Sequence, residues 1–212
     1  MTMKTTDDTA TGQATGGLWA FEDRGHDPVS TRTLGFWLYL LSDAMIFAAL
    51  FAAWGVYLHN TAGGPTIHGI VHPLYAFAET AVLFTGVFAY GLAMSAVKRA
   101  WRGGALLAMA AALGFGAWFL GMEIHEFSGL AALGAVPERS GFLSAYWTII
   151  ALHGAHIALA LLWTGLMLVQ VLWSGFTEKV VYRLLNLRLF WHYQAVIWVC
   201  VYVFVYLRGA MR

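Results

Sequence analysis

Charge is what this chain has least of. Lys, Arg, Asp and Glu together make up 11% of 212 residues, against about 25% in soluble domains. With 60% hydrophobic residues and a mean hydropathy of +0.67, the composition excludes an ordinary soluble domain. A net charge of +1 gives no footprint for nucleic acid. The one cysteine, Cys200, sits inside the last apolar run and excludes an internal disulfide. None of the four prolines interrupts a long apolar run, and no internal repeat is visible, which argues against a transporter built from inverted, broken-helix halves. No phosphate-binding loop, dinucleotide-binding glycine fingerprint, nucleophile elbow or C-x-x-C-H haem attachment occurs. No apolar segment follows Lys4, so the start does not read as a signal peptide.

What is present is a set of long apolar runs. The longest follows Arg139 and continues to Trp173 without Lys, Asp, Glu or Pro. About 20 apolar residues at 1.5 Å each span a hydrocarbon layer about 30 Å thick. Runs of this length, in place of short alternating segments, indicate helices and not a barrel. The expected fold is an all-α integral membrane protein with five transmembrane helices, at about 33–58, 74–97, 104–122, 142–172 and 189–207. Residues 1–32 read as a polar, flexible tail ahead of a five-helix domain covering 33–212. Five spans put the termini on opposite sides. Nine basic residues (Lys4, Arg24, Arg32, Lys98, Arg99, Arg102, Lys179, Arg183, Arg188) fall on one side and three (Arg139, Arg208, Arg212) on the other. The positive-inside rule then makes the N-terminus cytoplasmic and the C-terminus periplasmic.

Each ionisable group within a span costs about 3 kcal/mol or more unless paired or hydrated, and so needs a reason. Asp43, the deepest acid, reads equally as a proton-carrying or lipid-headgroup carboxylate and as a hydrogen-bonded acid locking helix one to a neighbour. Glu79 reads first as an interhelical hydrogen-bonding group or a wet edge, and second as a metal or proton site. His153 and His156, three apart on one face, offer raw material for a metal or haem site together with Glu79 and His192. Their setting among Ala151, Gly154, Ala155 and Ala158 favours the other reading, of histidines bridging closely packed helices. Glu123 and Glu126 are expected at a solvated end of helix three, facing Arg139. His192 is expected near the cytoplasmic end of helix five, reaching for the interface or bonding a neighbour. Trp191, Trp198, Tyr202 and Tyr206 suit interfacial aromatic belts.

Six segments then form a recognisable series: GFWLYLLSDAMIF (35–47), NTAGGPT (60–66), GMEIHEF (121–127), ERSGFLSAY (138–146), HGAH (153–156) and LFWHYQAVIW (189–198). In this order, and over nearly the whole chain, they resemble subunit III of haem–copper respiratory oxidases. The five-helix form is the closer match, and NTAGGPT with Asp in the SDAMIF position resembles the branch serving cytochrome bo-type ubiquinol oxidases. The resemblance implies a bacterial inner-membrane, multi-pass subunit of a complex that oxidises ubiquinol, reduces oxygen to water and pumps protons. It implies partner subunits I, II and a small subunit IV, with haems and copper in subunit I. It implies no cofactor, metal or catalytic residue in this chain, whose work is assembly, sustained activity and phospholipid binding. Asp43 matches the family's buried reactive acid, and His153 and His156 match packing histidines. One position departs: an acid often found four residues before the Trp matched by Trp198 is here Gln194. The related cytochrome c oxidase subunit III, and a standalone membrane metalloenzyme using Glu79, His153, His156 and His192, are the alternatives.

Overall fold

The computed structural model describes residues 28–207, with side chains from Thr33 onward except at His68. The chain is an all-α membrane protein: five helices are long and apolar enough to span a bilayer, and the described residues form no strand. They are α1 (Pro28–Tyr57), α3 (Pro73–Lys98), α4 (Arg102–Ala132), α5 (Gly141–Ser174) and α6 (Glu178–Val201, continuing as a π-helical turn through Tyr202–Leu207). A short helix α2 (Ile67–Ile70) caps the first loop, and a 3₁₀ turn at Pro137–Arg139 leads into α5.

Three boundaries differ from the sequence reading. The first helix begins at Pro28, within the segment expected to be a tail; the rest of that segment, and the C-terminal arginines, lie outside the described residues. Helix α4 runs ten residues past Met122, to Ala132. Helix α6 begins at Glu178 and not Leu189, so Lys179, Arg183 and Arg188 lie on a helix that emerges from the apolar layer. Arg183 donates to Gln170 Oε1 of α5 at 2.9 Å, which ties the two protruding ends together. Hydropathy ends a span at its first charge; the backbone ends its helix only where its hydrogen bonds stop being made.

Local chemistry sets the remaining ends. Gly175 closes α5 with φ +65, a conformation open to glycine at no steric cost. Ser140 caps the start of α5, its hydroxyl accepting from the Leu143 amide at 3.2 Å. The NTAGGPT loop places Ala62 and Gly63 at positive φ, and Asn60 O accepts from the Phe142 amide at 3.2 Å, joining the first loop to α5.

Helices α3 to α6 enclose an aromatic core. Trp191, Trp198, Tyr146 and Tyr206 are all fully buried. This corrects the aromatic-belt expectation for α6: Trp191, Trp198 and Tyr206 point into the bundle. Helix α1 lies at the side against α5 and α6 and is the least buried of the spans.

Candidate functional site

The expected site residues fall into two largely buried groups and one exposed position. The first group joins three helices. Asp43 of α1 is 6% exposed, and its Oδ1 is 3.2 Å from His156 Nε2 of α5. Its Oδ2 accepts from the Tyr193 hydroxyl of α6 at 3.0 Å. The other ring nitrogen of His156 is 2.7 Å from the Leu152 carbonyl. A carbonyl only accepts, so Nδ1 carries a hydrogen. The Nε2–Oδ1 contact then needs one further proton, on the carboxyl or on the imidazole. Asp43 thereby clasps α1 to α5 and α6, with both carboxyl oxygens engaged. Sequence reasoning missed Tyr193 as the third member.

That clasp gives a measurable expectation. Tyr193→Phe keeps the ring and removes the donor to Asp43. Interhelical hydrogen bonds in membrane bundles average about 0.6 kcal/mol and reach about 1.7. A loss within that range, read as a lower midpoint for SDS-induced unfolding of the chain, is the expected result; an unchanged midpoint contradicts the clasp.

The second group lies at the meeting of α3, α4, α5 and α6. His153 is fully buried, with Nε2 3.3 Å from the backbone carbonyl of Gln194 and Nδ1 3.5 Å from Glu123 Oε1. Its ring sits 5.0 Å from that of Trp198 and 5.7 Å from that of Phe119. The Trp198 indole N–H donates to Thr80 Oγ1 at 2.9 Å, beside Glu79, which is fully buried. Glu123 is 2% exposed. Glu126, one turn further, accepts from the hydroxyls of Tyr146 at 3.1 Å and Tyr206 at 2.8 Å.

These positions correct two expectations. Glu123 does not end a solvated helix facing Arg139, because α4 carries on and buries it; Glu126 is half-buried and bonded to Tyr146 and Tyr206. Arg139 instead donates to the Gly134 carbonyl at 3.3 Å. Glu79 is not at a wet edge; it is enclosed. Tyr146 and Tyr206 were missed, and the available signal was an E-x-x-E pair that needed donors at that depth.

His192 stands apart. It is exposed, with Nδ1 2.8 Å from the Arg188 carbonyl of its own helix, and it lines an open groove of about 540 Å³ with Gly91, Ser95, Lys98 and Arg188. The structure therefore gives the three histidines of the metalloenzyme alternative different surroundings. His156 faces Asp43, His153 faces Glu123, and His192 faces outward. Among the described residues, no three His, Cys, Asp or Glu side chains are grouped to hold a metal ion.

Comparison with known proteins places this arrangement. No family model matches the chain. It is 40% identical over 189 residues, 89% of the chain and 90% of the relative, to cytochrome bo(3) ubiquinol oxidase subunit 3 of Pseudomonas aeruginosa. It is 39% identical over 186 residues, 88% of the chain and 90% of the relative, to the protein of that name from Pseudomonas putida. It is 31% identical over 183 residues, 83% of the chain and 85% of the relative, to cytochrome c oxidase subunit 3 of Bacillus sp. strain PS3. A membrane-spanning subunit of a multi-chain respiratory oxidase is the class these findings define. The chain belongs to the subunit III family of haem–copper oxidases.

Proposed function

We propose that the chain is subunit III of a proton-pumping ubiquinol oxidase in a bacterial inner membrane. It is assembled there with a haem- and copper-bearing subunit I, a subunit II and a small subunit IV. The observation that carries this reading is the 40% identity over 89% of the chain to a bo(3) ubiquinol oxidase subunit 3, against 31% to a cytochrome c oxidase subunit 3. In this reading the chain holds no cofactor and performs no chemical step. Its buried pairs fix helices, and its lipid-facing surfaces bind phospholipid. Nine basic residues against three support a cytoplasmic N-terminus.

The test is affinity purification of the tagged chain in mild detergent, followed by assays of electron donor, haem and copper. Ubiquinol-dependent oxygen uptake in a complex with larger haem-bearing chains supports the reading. A complex that oxidises cytochrome c and not ubiquinol replaces it with the cytochrome c oxidase reading. A chain that purifies alone overturns both.

A structural subunit also predicts how its mutants fail. Asp43→Asn keeps the shape of the clasp but replaces a carboxyl oxygen with an amide donor opposite the Tyr193 hydroxyl or the imidazole. The initial turnover rate of the complex is expected to stay near wild type, while activity decays faster over successive turnovers. Equal losses at early and late times contradict this.

A further inference from the structure

Two cations from different helices line one groove at an end of the bundle, and no Asp or Glu lines it with them. Lys98, Ser95 and Gly91 of α3 face Arg188, Leu189 and His192 of α6 across about 540 Å³, a size usual for small-molecule sites. The two walls are held together. The Tyr90 hydroxyl of α3 donates to the Leu184 carbonyl of α6 at 3.1 Å, and Arg188 stands within electrostatic reach of Tyr90. The His192 ring is steadied by donation from Nδ1 to the Arg188 carbonyl at 2.8 Å. Between the walls the groove is open at Gly91, where a Cβ would meet no atom within 4 Å.

The groove sits at the edge of the apolar layer. Lys98 is the last residue of its span, and Arg188 precedes the apolar stretch that opens at Leu189. Further along the same two helices the exposed side chains turn apolar: Phe88 and Leu92 on α3, Val196 and Val199 on α6. Steps of three and four residues keep the first pair on the face of Ser95 and the second on the face of His192. A ligand matched to this surface is anionic at one end and apolar at the other. A soluble anion leaves the apolar stripe uncovered, and a zwitterionic headgroup brings its own cation against Lys98 and Arg188. Basic pockets between transmembrane helices suit anionic lipid headgroups.

We propose that the groove between α3 and α6 seats the phosphate of an anionic phospholipid on Lys98, Ser95 and Arg188, with its acyl chains along Phe88, Leu92 and Val196. This rests on the phospholipid-binding role proposed above and gives that role a place and a headgroup class. It holds for either orientation of the chain in the membrane.

Photo-crosslinking of the intact complex in lipid nanodiscs tests it. Phosphatidylglycerol and phosphatidylcholine with the same diazirine-bearing acyl chain are compared, and the labelled segments are mapped. Phosphatidylglycerol is expected to label residues 88–92 and 196–199 several-fold more than phosphatidylcholine. Equal labelling by the two lipids keeps the phospholipid-binding role and overturns the anionic site. No label on either segment overturns the site, whether a partner subunit covers the groove or nothing does. Arg188→Gln and Lys98→Gln are each expected to lower the phosphatidylglycerol label about five-fold, the worth of one basic residue at an anionic headgroup. Gly91→Leu keeps both charges, fills the opening and is expected to bring the label down to the phosphatidylcholine level. Arg183→Gln removes a cation of the same helix from outside the groove, where it bonds Gln170, and is expected to leave the label unchanged. Equal falls in Arg183→Gln and Arg188→Gln overturn the site in favour of general surface charge. Should the variants fail to assemble, the contrast between the two lipids in the wild-type complex decides. Oxygen uptake by the same preparation reads the oxidase assignment separately.

Discussion

Trp198→Ala is expected to strip this chain from its complex. The indole lies where four helices meet, 4.7 Å from the Phe119 ring, 5.0 Å from His153 and 6.1 Å from Tyr206. Truncating a fully buried aromatic leaves a cavity that surrounding side chains only partly fill, at about 3–5 kcal/mol. In a bilayer the loss is mainly of van der Waals packing, since lipid tails are as apolar as the site. The substitution also leaves Thr80 Oγ1 without its indole donor. Trp198→Phe retains most of the ring and forfeits the hydrogen bond, at about 1 kcal/mol. Quantifying the chain in purified complex separates the two: severe loss for Ala, near-normal content for Phe. Normal content in the Ala variant would show that the aromatic core is dispensable.

The second large effect is expected at Gly116. A Cβ on this residue would stand 2.7 Å from Trp191 Cη2 and 2.8 Å from Leu161 Cδ2. The indole cannot retreat freely, because its N–H donates to Thr164 Oγ1 at 3.0 Å. Gly116→Ala is therefore expected to cost about 1–3 kcal/mol by overpacking, and Gly116→Leu to keep α4 from closing on α5 and α6. Gly114 lies on the same helix with nothing within 4 Å of its Cβ position. Gly114→Ala should be neutral or slightly stabilising, since Ala is the better helix former by up to about 1 kcal/mol. Midpoints for SDS-induced unfolding of the three variants provide the check, and similar values for Gly114→Ala and Gly116→Ala would refute the close approach.

Both positions show what a sequence can and cannot reveal in a membrane bundle. The number of spans was legible because a helix in lipid has to be apolar over a fixed length. The ends of α4 and α6 were not. Glu123, Glu126 and Arg183 look like the start of a loop until their partners are known, and those partners lie on other helices. The inward side of α6 was hidden for a related reason. Trp and Tyr are enriched at the membrane surface, and only the fold distinguishes Tyr206 donating to Glu126 from Tyr206 lying among headgroups. Asp43 and His156 could each be picked out as residues needing a partner; that each was the other's partner needed coordinates. Gln194, noticed only as the substitute for an acid, belongs to the second buried group.

The clasp at Asp43 also bears on how the chain is made. Helix α1 is made before α5 and α6, yet its acid is held by His156 of the one and by Tyr193 of the other, the latter 150 residues further on. Until α5 and α6 are made this span carries an aspartate without its two partners, His156 and Tyr193, a burden of about 3 kcal/mol at mid-membrane. Helix α1 is thus fully secured only after both later helices are in place. Its acid is satisfied at both oxygens only when α5 and α6 have been delivered beside it.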